Sequence, residues 1–353
     1  MFSNLPFGFL FIFVMAFGTL FSISSSHWLG IWAGLEINLI GFLPILVYQK
    51  SMSESESAVK YFIVQALGSS LLIFGSLSSY NILFSWENVS ESELSMVGFF
   101  IISSGLIMKM GMFPFHYWLP SVMAGLPWIS CMLLATWQKV APILLINSLF
   151  ELNLMYYFMF TICLMAGGSS IIGGVGGMNQ TQVRAILAYS SIGHLGWMMF
   201  ALSQGVWAMK LYFCVYILIS LCIFLNLWYM NLNLMKNLNM LMKLDKYNSN
   251  GVMLMLMSLG GLPPLLGFIS KWVVIVMAMN SVYWSFLFML ILGSVMSLFY
   301  YLSLYFCIFL GSSKKLYFDE TIMYKSNFLM SFGLFFNLIG GVILVFTSMI
   351  MEI

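Results

Sequence analysis

Long apolar runs separated by short polar or turn-rich breaks extend from one end of the chain to the other. A helix needs about 20 apolar residues to cross the hydrocarbon core of a bilayer, and cutting at the breaks predicts about 11 spans. They cover 5–24, 27–48, 57–79, 94–123, 127–149, 152–177, 180–203, 206–231, 250–279, 282–310 and 326–350. The expected fold class is all-α: a polytopic transmembrane helix bundle forming a single membrane domain over 1–353. Within it, 1–149 make an incomplete first half, 152–310 a second repeat and 326–350 a final helix.

Two of these spans are too long and carry helix breakers. The fourth holds Gly111, Pro114 and Pro120, and the ninth holds Gly260-Gly261-Leu262-Pro263-Pro264 and then Gly267. Proline lacks a backbone donor and collides with the preceding turn, so both are expected to be interrupted helices. Non-helical backbone at membrane depth is tolerated only where it is buried in protein or lines a wet cavity. The two breaks lie five spans apart, an odd offset that reverses direction, so they are candidates for equivalent helices of an inverted repeat. In the sixth span, Ala166-Gly167-Gly168-Ser169-Ser170 and Gly173-Gly174 are small enough to let neighbouring backbones approach closely.

Composition excludes a water-soluble protein. Hydrophobic residues make up 62% of the chain and charged residues 7%, against about 25% charged in a typical soluble domain. The mean hydropathy is +1.00. A net charge of +2 gives no electrostatic reason to expect a nucleic-acid partner. The 31 methionines and the single arginine, Arg184, resemble the usage of AT-rich, recoded mitochondrial genomes. Residues 1–20 are apolar with no preceding Lys or Arg, unlike a secretory or transit peptide. Cys131, Cys163, Cys214, Cys222 and Cys307 are scattered through apolar runs without a Cys-x-x-Cys, and are expected to be small buried apolar residues. No phosphate loop or dinucleotide fingerprint is present, so no cofactor or metal site is expected in this chain.

Loop charge sets the expected orientation. Lys50, Arg184, Lys236, Lys243, Lys246, Lys314, Lys315 and Lys325 fall on one face, and Glu87, Glu91, Glu93, Glu151 and Glu352 on the other. The positive-inside rule puts the basic face and the N-terminus in the matrix, and the C-terminus in the intermembrane space.

The candidate chemistry lies in ionisable groups at membrane depth, where a charged side chain at a helix centre costs about 2.5–3.5 kcal/mol on insertion scales. Glu36, Lys109, Lys139 and His194 fall near the middle of their spans, and Lys271 follows the second break. His116 follows Pro114-Phe115 at the first break. Burial disfavours the ammonium form of a lysine and a nearby carboxylate restores it, so a Glu36–Lys109 pair could act as a proton switch. Histidine titrates near neutrality and suits a relay; a helix cap for His116 and a hydrogen-bonded core histidine for His194 are the alternatives. Lys60 and Lys210 lie where an ammonium can snorkel to the interface, and Arg184 reads as a helix-end anchor.

The same residues carry a resemblance. Trp32-Ala33-Gly34-Leu35-Glu36-Ile37-Asn38, the run Lys109-Met110-Gly111-Met112-Phe113-Pro114-Phe115-His116-Tyr117-Trp118-Leu119-Pro120, Thr136-Trp137-Gln138-Lys139, Asn179-Gln180-Thr181-Gln182-Val183-Arg184, Tyr189-Ser190-Ser191-Ile192-Gly193-His194-Leu195-Gly196-Trp197 and Gly261-Leu262-Pro263-Pro264 resemble the subunit 2 family of mitochondrial NADH:ubiquinone oxidoreductase, respiratory complex I. The resemblance covers nearly the whole chain, and its span number is similar to that of the animal form. It implies an antiporter-like module of the mitochondrial inner membrane that pumps protons while NADH is oxidised by ubiquinone elsewhere in the enzyme. It implies a Glu36–Lys109 pair, a central Lys139, a distal Lys271, and His116 and His194 in the polar axis between them. Flavin, iron–sulfur clusters and ubiquinone are implied in other subunits. The implied partners are small subunit 4L, subunit 4, the lateral helix of subunit 5 and lipids such as cardiolipin. An acidic residue frequent after the proline is Ser121 here. A stand-alone cation/proton antiporter and a purely structural membrane-arm subunit are the competing readings.

Overall fold

The computed structural model describes residues 7–48, 51–83, 93–152, 156–230, 246–263, 265–279, 281–313, 331 and 333–342. The loop charges Lys50, Lys236, Lys243, Lys314, Lys315, Lys325, Glu87, Glu91 and Glu352 lie outside them, as do the side chains of Glu93, Glu151 and Lys246 and most of the expected span 326–350. The described chain is helical, and seven stretches are long and apolar enough to cross a membrane. It divides into two compact units, Met1–Thr161 and Ile162–Ile353.

The first unit holds α1 (Gly8–Ser24), α2 (Trp28–Leu46), α3 (Met52–Leu83), α4 (Glu93–Met110), α5 (Trp118–Gly125), α6 (Trp128–Ala135) and α7 (Trp137–Leu152). Its most extensive contacts join α3 to α4 and α1 to α2. Both rest on glycine. A Cβ on Gly18 would lie 2.5 Å from the Asn38 nitrogen, and one on Gly105 would lie 2.9 Å from the Gly68 carbonyl. Helix association in lipid relies on such close packing, because apolar burial gives no advantage over lipid tails.

From α8 (Tyr156–Met178) the chain enters the second unit, which holds α9 (Val183–Gln204), α10 (Val206–Met230), α11 (Lys246–Gly260), α12 (Leu266–Ala278), α13 (Trp284–Ser313) and the short apolar helix Gly333–Val342. The small residues of α8 do the work expected of them. A Cβ on Gly173 would lie 2.6 Å from the Gly193 nitrogen of α9, and one on Gly174 would lie 2.7 Å from the Gly293 carbonyl of α13.

Both expected interruptions are present and are built alike. Just past the end of α4, Gly111 takes a left-handed φ of 76°, and just past the end of α11 Gly261 takes 83°. Each glycine N–H returns to the carbonyls three and four residues back, and the next N–H reaches five back: Met112 to Ile107 at 3.3 Å and Leu262 to Met257 at 3.3 Å. This is the Schellman ending, in which a Cβ-free residue turns the chain out of the helix while its last carbonyls stay satisfied. The prolines that follow prevent the helix from continuing in register.

One interruption was not expected. The span 127–149 divides into α6 and α7 at Thr136, whose backbone leaves the helix at φ −112° and ψ −70°. The Thr136 hydroxyl donates to the Met132 carbonyl at 2.7 Å. Pro142, inside α7, can make no bond to the Gln138 carbonyl one turn back. Lys139 therefore sits in the first turn of α7, between the kink at Thr136 and Pro142, neither of which interrupts the apolar run that defined the span.

Candidate functional site

In the first unit, the polar groups gather around the end of α4. Lys109 is in its last turn, where aligned peptide dipoles present the negative helix end to a cation. Its stem lies over Gly68 of α3, where a Cβ would come within 3.0 Å of Cγ. The Lys109 ammonium stands 3.7 Å from Glu36 Oε1 of α2, with the lysine side chain 4% exposed and the glutamate 27%. Gln65 of α3 donates to the Lys109 carbonyl at 3.2 Å, and the Trp118 indole of α5 donates across the break to the Met108 carbonyl at 3.2 Å. The interruption is thus held by side chains from neighbouring helices.

Lys139, 2% exposed, is among the most deeply buried large side chains. Its placement relative to Glu36 is fixed by Gln138, next to it, and Asn38, two residues after Glu36. Asn38 of α2 and Gln138 of α7 exchange both amide hydrogen bonds, Nδ2 to Oε1 at 2.9 Å and Nε2 to Oδ1 at 3.1 Å. A reciprocal amide pair satisfies both groups and fixes the register of the two helices that carry the carboxylate and the central lysine.

The second unit solves the same problem differently. The Lys271 side chain of α12 turns back across the break and donates to the Gly260 carbonyl at 2.8 Å and the Leu259 carbonyl at 3.4 Å. It lies against Gly261, where a Cβ would be 3.1 Å from the ammonium. Lys271 and His194 both line a cavity of about 10 Å³, room for a single water. Ser170, Ser190, Ser294, Ser297, Tyr300 and Tyr301 also line it. The two phenol oxygens are fully buried and meet no partner at hydrogen-bond geometry among the described residues, although Tyr301 leans toward Ser190 and Tyr300 toward Ser297. His194 Nδ1 lies 2.8 Å from the Tyr212 hydroxyl, and its ring centroid lies 5.2 Å from that of Tyr216.

A family profile described as "NADH:quinone oxidoreductase/Mrp antiporter, TM" matches residues 25–299, which include both breaks and every group named above except Tyr300 and Tyr301. This chain belongs to that family. The NADH-ubiquinone oxidoreductase chain 2 of Anopheles gambiae is 40% identical to it, over 95% of this chain and 96% of the relative. Among solved structures, respiratory complex I from Thermus thermophilus with bound aureothin contains a chain that is 25% identical, with a TM-score of 0.80, over 96% of this chain and 76% of that one. The Mrp complex from Dietzia shares the fold at 16% identity and a TM-score of 0.77, over 85% of this chain and 60% of that one.

The other residues singled out from the sequence make contacts of their own. His116, 4% exposed, contacts its own loop: Nδ1 is 3.2 Å from the Pro114 carbonyl, and its ring centroid lies 4.0 Å from that of Tyr117. Lys60 forms an exposed i,i+4 pair with Glu56 at 2.6 Å, and Lys210 is exposed on α10. Arg184 is the second residue of α9. Cys131 and Cys163 are buried as expected, but Cys222 is half-buried and Cys214 is exposed on α10; the Cys307 side chain lies outside the described residues.

Sequence reading missed the second unit's phenols. Tyr212, Tyr216, Tyr300 and Tyr301 are at most 4% exposed, yet in an apolar run a tyrosine reads as another aromatic. The consecutive pair Tyr300-Tyr301 is visible in the chain, but its place beside His194 on the cavity wall exists only after folding.

Proposed function

We propose that this chain is an antiporter-like, proton-translocating core subunit of the membrane arm of mitochondrial complex I, in which Glu36, Lys109, Lys139, His194 and Lys271 pass protons. The observation that carries the reading is the buried Lys109 ammonium, 3.7 Å from the part-exposed Glu36 carboxylate beside an interrupted helix. A cation held at that depth is stable with its counter-ion and costly without it. A small displacement of α2 against α4 therefore changes how firmly Lys109 holds its proton. Moving one charge against the membrane potential takes about 2.3 kcal/mol per 100 mV, within the range that making or breaking a buried ion pair supplies.

In this reading the chain holds no redox group; NADH, flavin, iron–sulfur clusters and ubiquinone are handled by other subunits, with small subunit 4L, subunit 4, the lateral helix of subunit 5 and cardiolipin as neighbours. The two interrupted helices are equivalent elements of an inverted repeat over 1–149 and 152–310, with the N-terminus in the matrix. His116 joins the path through a rearrangement of its loop, since its contacts here are local. The buried phenols around His194 extend the path beyond the residues legible in sequence.

The test is Glu36→Gln in the assembled complex in inner-membrane vesicles, reading assembly, NADH oxidation and proton uptake together. Loss of proton uptake with assembly intact supports the proposal; full coupling in the variant leaves a structural subunit as the better reading. Sodium–proton exchange by the isolated chain in proteoliposomes would favour a stand-alone antiporter instead.

A further inference from the structure

The second interruption is held from outside by an asparagine of a separate helix. Asn337, on the helix Gly333–Val342, is 2% exposed. Its Oδ1 accepts from the Leu266 backbone N–H at 3.2 Å, and its Nδ2 reaches the Met255 sulfur at 3.2 Å. Leu266 is the first residue of α12 and Met255 lies in α11, so one amide bridges both halves of the broken helix. Its neighbours on the same helix face match. A Cβ on Gly333 would lie 2.9 Å from Met255, and one on Gly340 would lie 3.0 Å from Leu266. Gly333, Asn337 and Gly340 have the i, i+4, i+7 spacing of a single helix face.

The first turn of a helix has N–H groups without intrahelical partners, and in α12 they are buried. The Leu265 N-cap makes no side-chain hydrogen bond, and Asn337 supplies the missing acceptor from another helix. What it fixes is the offset between α11 and α12. That offset also sets the Lys271 ammonium, because Lys271 rides on α12 while its acceptors, Gly260 and Leu259, end α11.

We infer that Asn337 is a positioning residue for Lys271: the helix Gly333–Val342 acts as a clamp that keeps the two half-helices at the spacing at which the lysine bridges them. The inference rests on the proposed proton-carrying role of Lys271, but its structural half can be tested without that role.

The experiment uses the whole complex carrying Asn337→Leu, which removes both polar contacts at similar size, or Asn337→Asp, which keeps an oxygen acceptor for Leu266 and drops the donor to sulfur. Two readouts are taken: hydrogen–deuterium exchange of the Leu262–Ser270 segment, and protons moved per NADH oxidised. Asn337→Leu should expose the segment to exchange roughly tenfold faster, about 1.4 kcal/mol, and lower the proton yield severalfold. Asn337→Asp should stay within about twofold of the parent on both readouts, below the ~0.4 kcal/mol that such a factor represents. Unchanged exchange in Asn337→Leu overturns the clamp. Faster exchange with an unchanged proton yield overturns the link to Lys271 and counts against the proposed role of that lysine. Should Asn337→Leu fail to assemble, Asn337→Asp decides: retained protection and yield support the inference, and loss of both overturns it.

Discussion

The two interrupted helices share a backbone solution and differ in how they hold their lysines. Each first half ends on a left-handed glycine with the same pair of returning hydrogen bonds, and each places an ammonium at the negative end of that half-helix. Lys109 faces a carboxylate on another helix, at 3.7 Å. Lys271 faces two carbonyls of the half-helix that its own chain has just left, at 2.8 and 3.4 Å. A carboxylate can protonate or swing away; peptide carbonyls can do neither. The first site can therefore be switched by its partner, whereas the second can be changed only by moving one half-helix against the other. Equivalent backbone geometry has been given an adjustable electrostatic environment in one unit and a fixed one in the other.

The largest expected effect comes from removing the adjustable partner. Glu36→Leu leaves the Lys109 ammonium buried without its counter-ion, a loss that approaches the roughly 3 kcal/mol lower end found when one member of a fully buried pair is deleted. Thermal melting of the assembled membrane arm should fall, and proton uptake by vesicles should be abolished. Lys271→Met removes a donor from neutral carbonyls and should cost less, about 1–3 kcal/mol for the acceptors left buried. The same melting assay should rank the two, and a larger loss for Lys271→Met would reverse the contrast.

Alanine at the two glycines probes the shared element. Each variant carries the left-handed penalty of about 1–2 kcal/mol, but the neighbours differ. A Cβ at Gly111 meets Leu119 and Trp118, whereas one at Gly261 meets the Lys271 side chain. Gly111→Ala should lower assembled yield with the coupling ratio kept among surviving complexes. Gly261→Ala should depress protons moved per NADH as well, and equal coupling ratios would erase the distinction.

A smaller effect is expected at the amide pair. A double-mutant cycle on Asn38→Ala and Gln138→Ala should return a coupling of about 0.6–1.7 kcal/mol, the range of interhelical hydrogen bonds in membranes. Melting of the four complexes measures it, and strict additivity would mean the pair does not set the register of α2 and α7. At the bottom of the scale, Lys60→Met should leave melting and proton uptake unchanged, since its exposed partner Glu56 holds it on the surface of α3.

The linear pattern determined a good deal. Apolar runs, with prolines and glycines inside two of them, specified the spans and both principal breaks, because length and breakers are local constraints that lipid leaves no way to evade. The burial of Lys109, Lys139, His194 and Lys271 was legible for a similar reason: a titratable group in mid-span has nowhere else to go. Only tertiary structure decided what each group faces. The phenols around His194, the reciprocal Asn38–Gln138 amides and the reach of Asn337 to Leu266 all join residues distant in the chain. In an apolar sequence an asparagine or tyrosine announces a polar atom but not its partner. The partner is chosen by which helices lie side by side, and that choice is made by close packing among glycines and serines whose spacing is common to many helices.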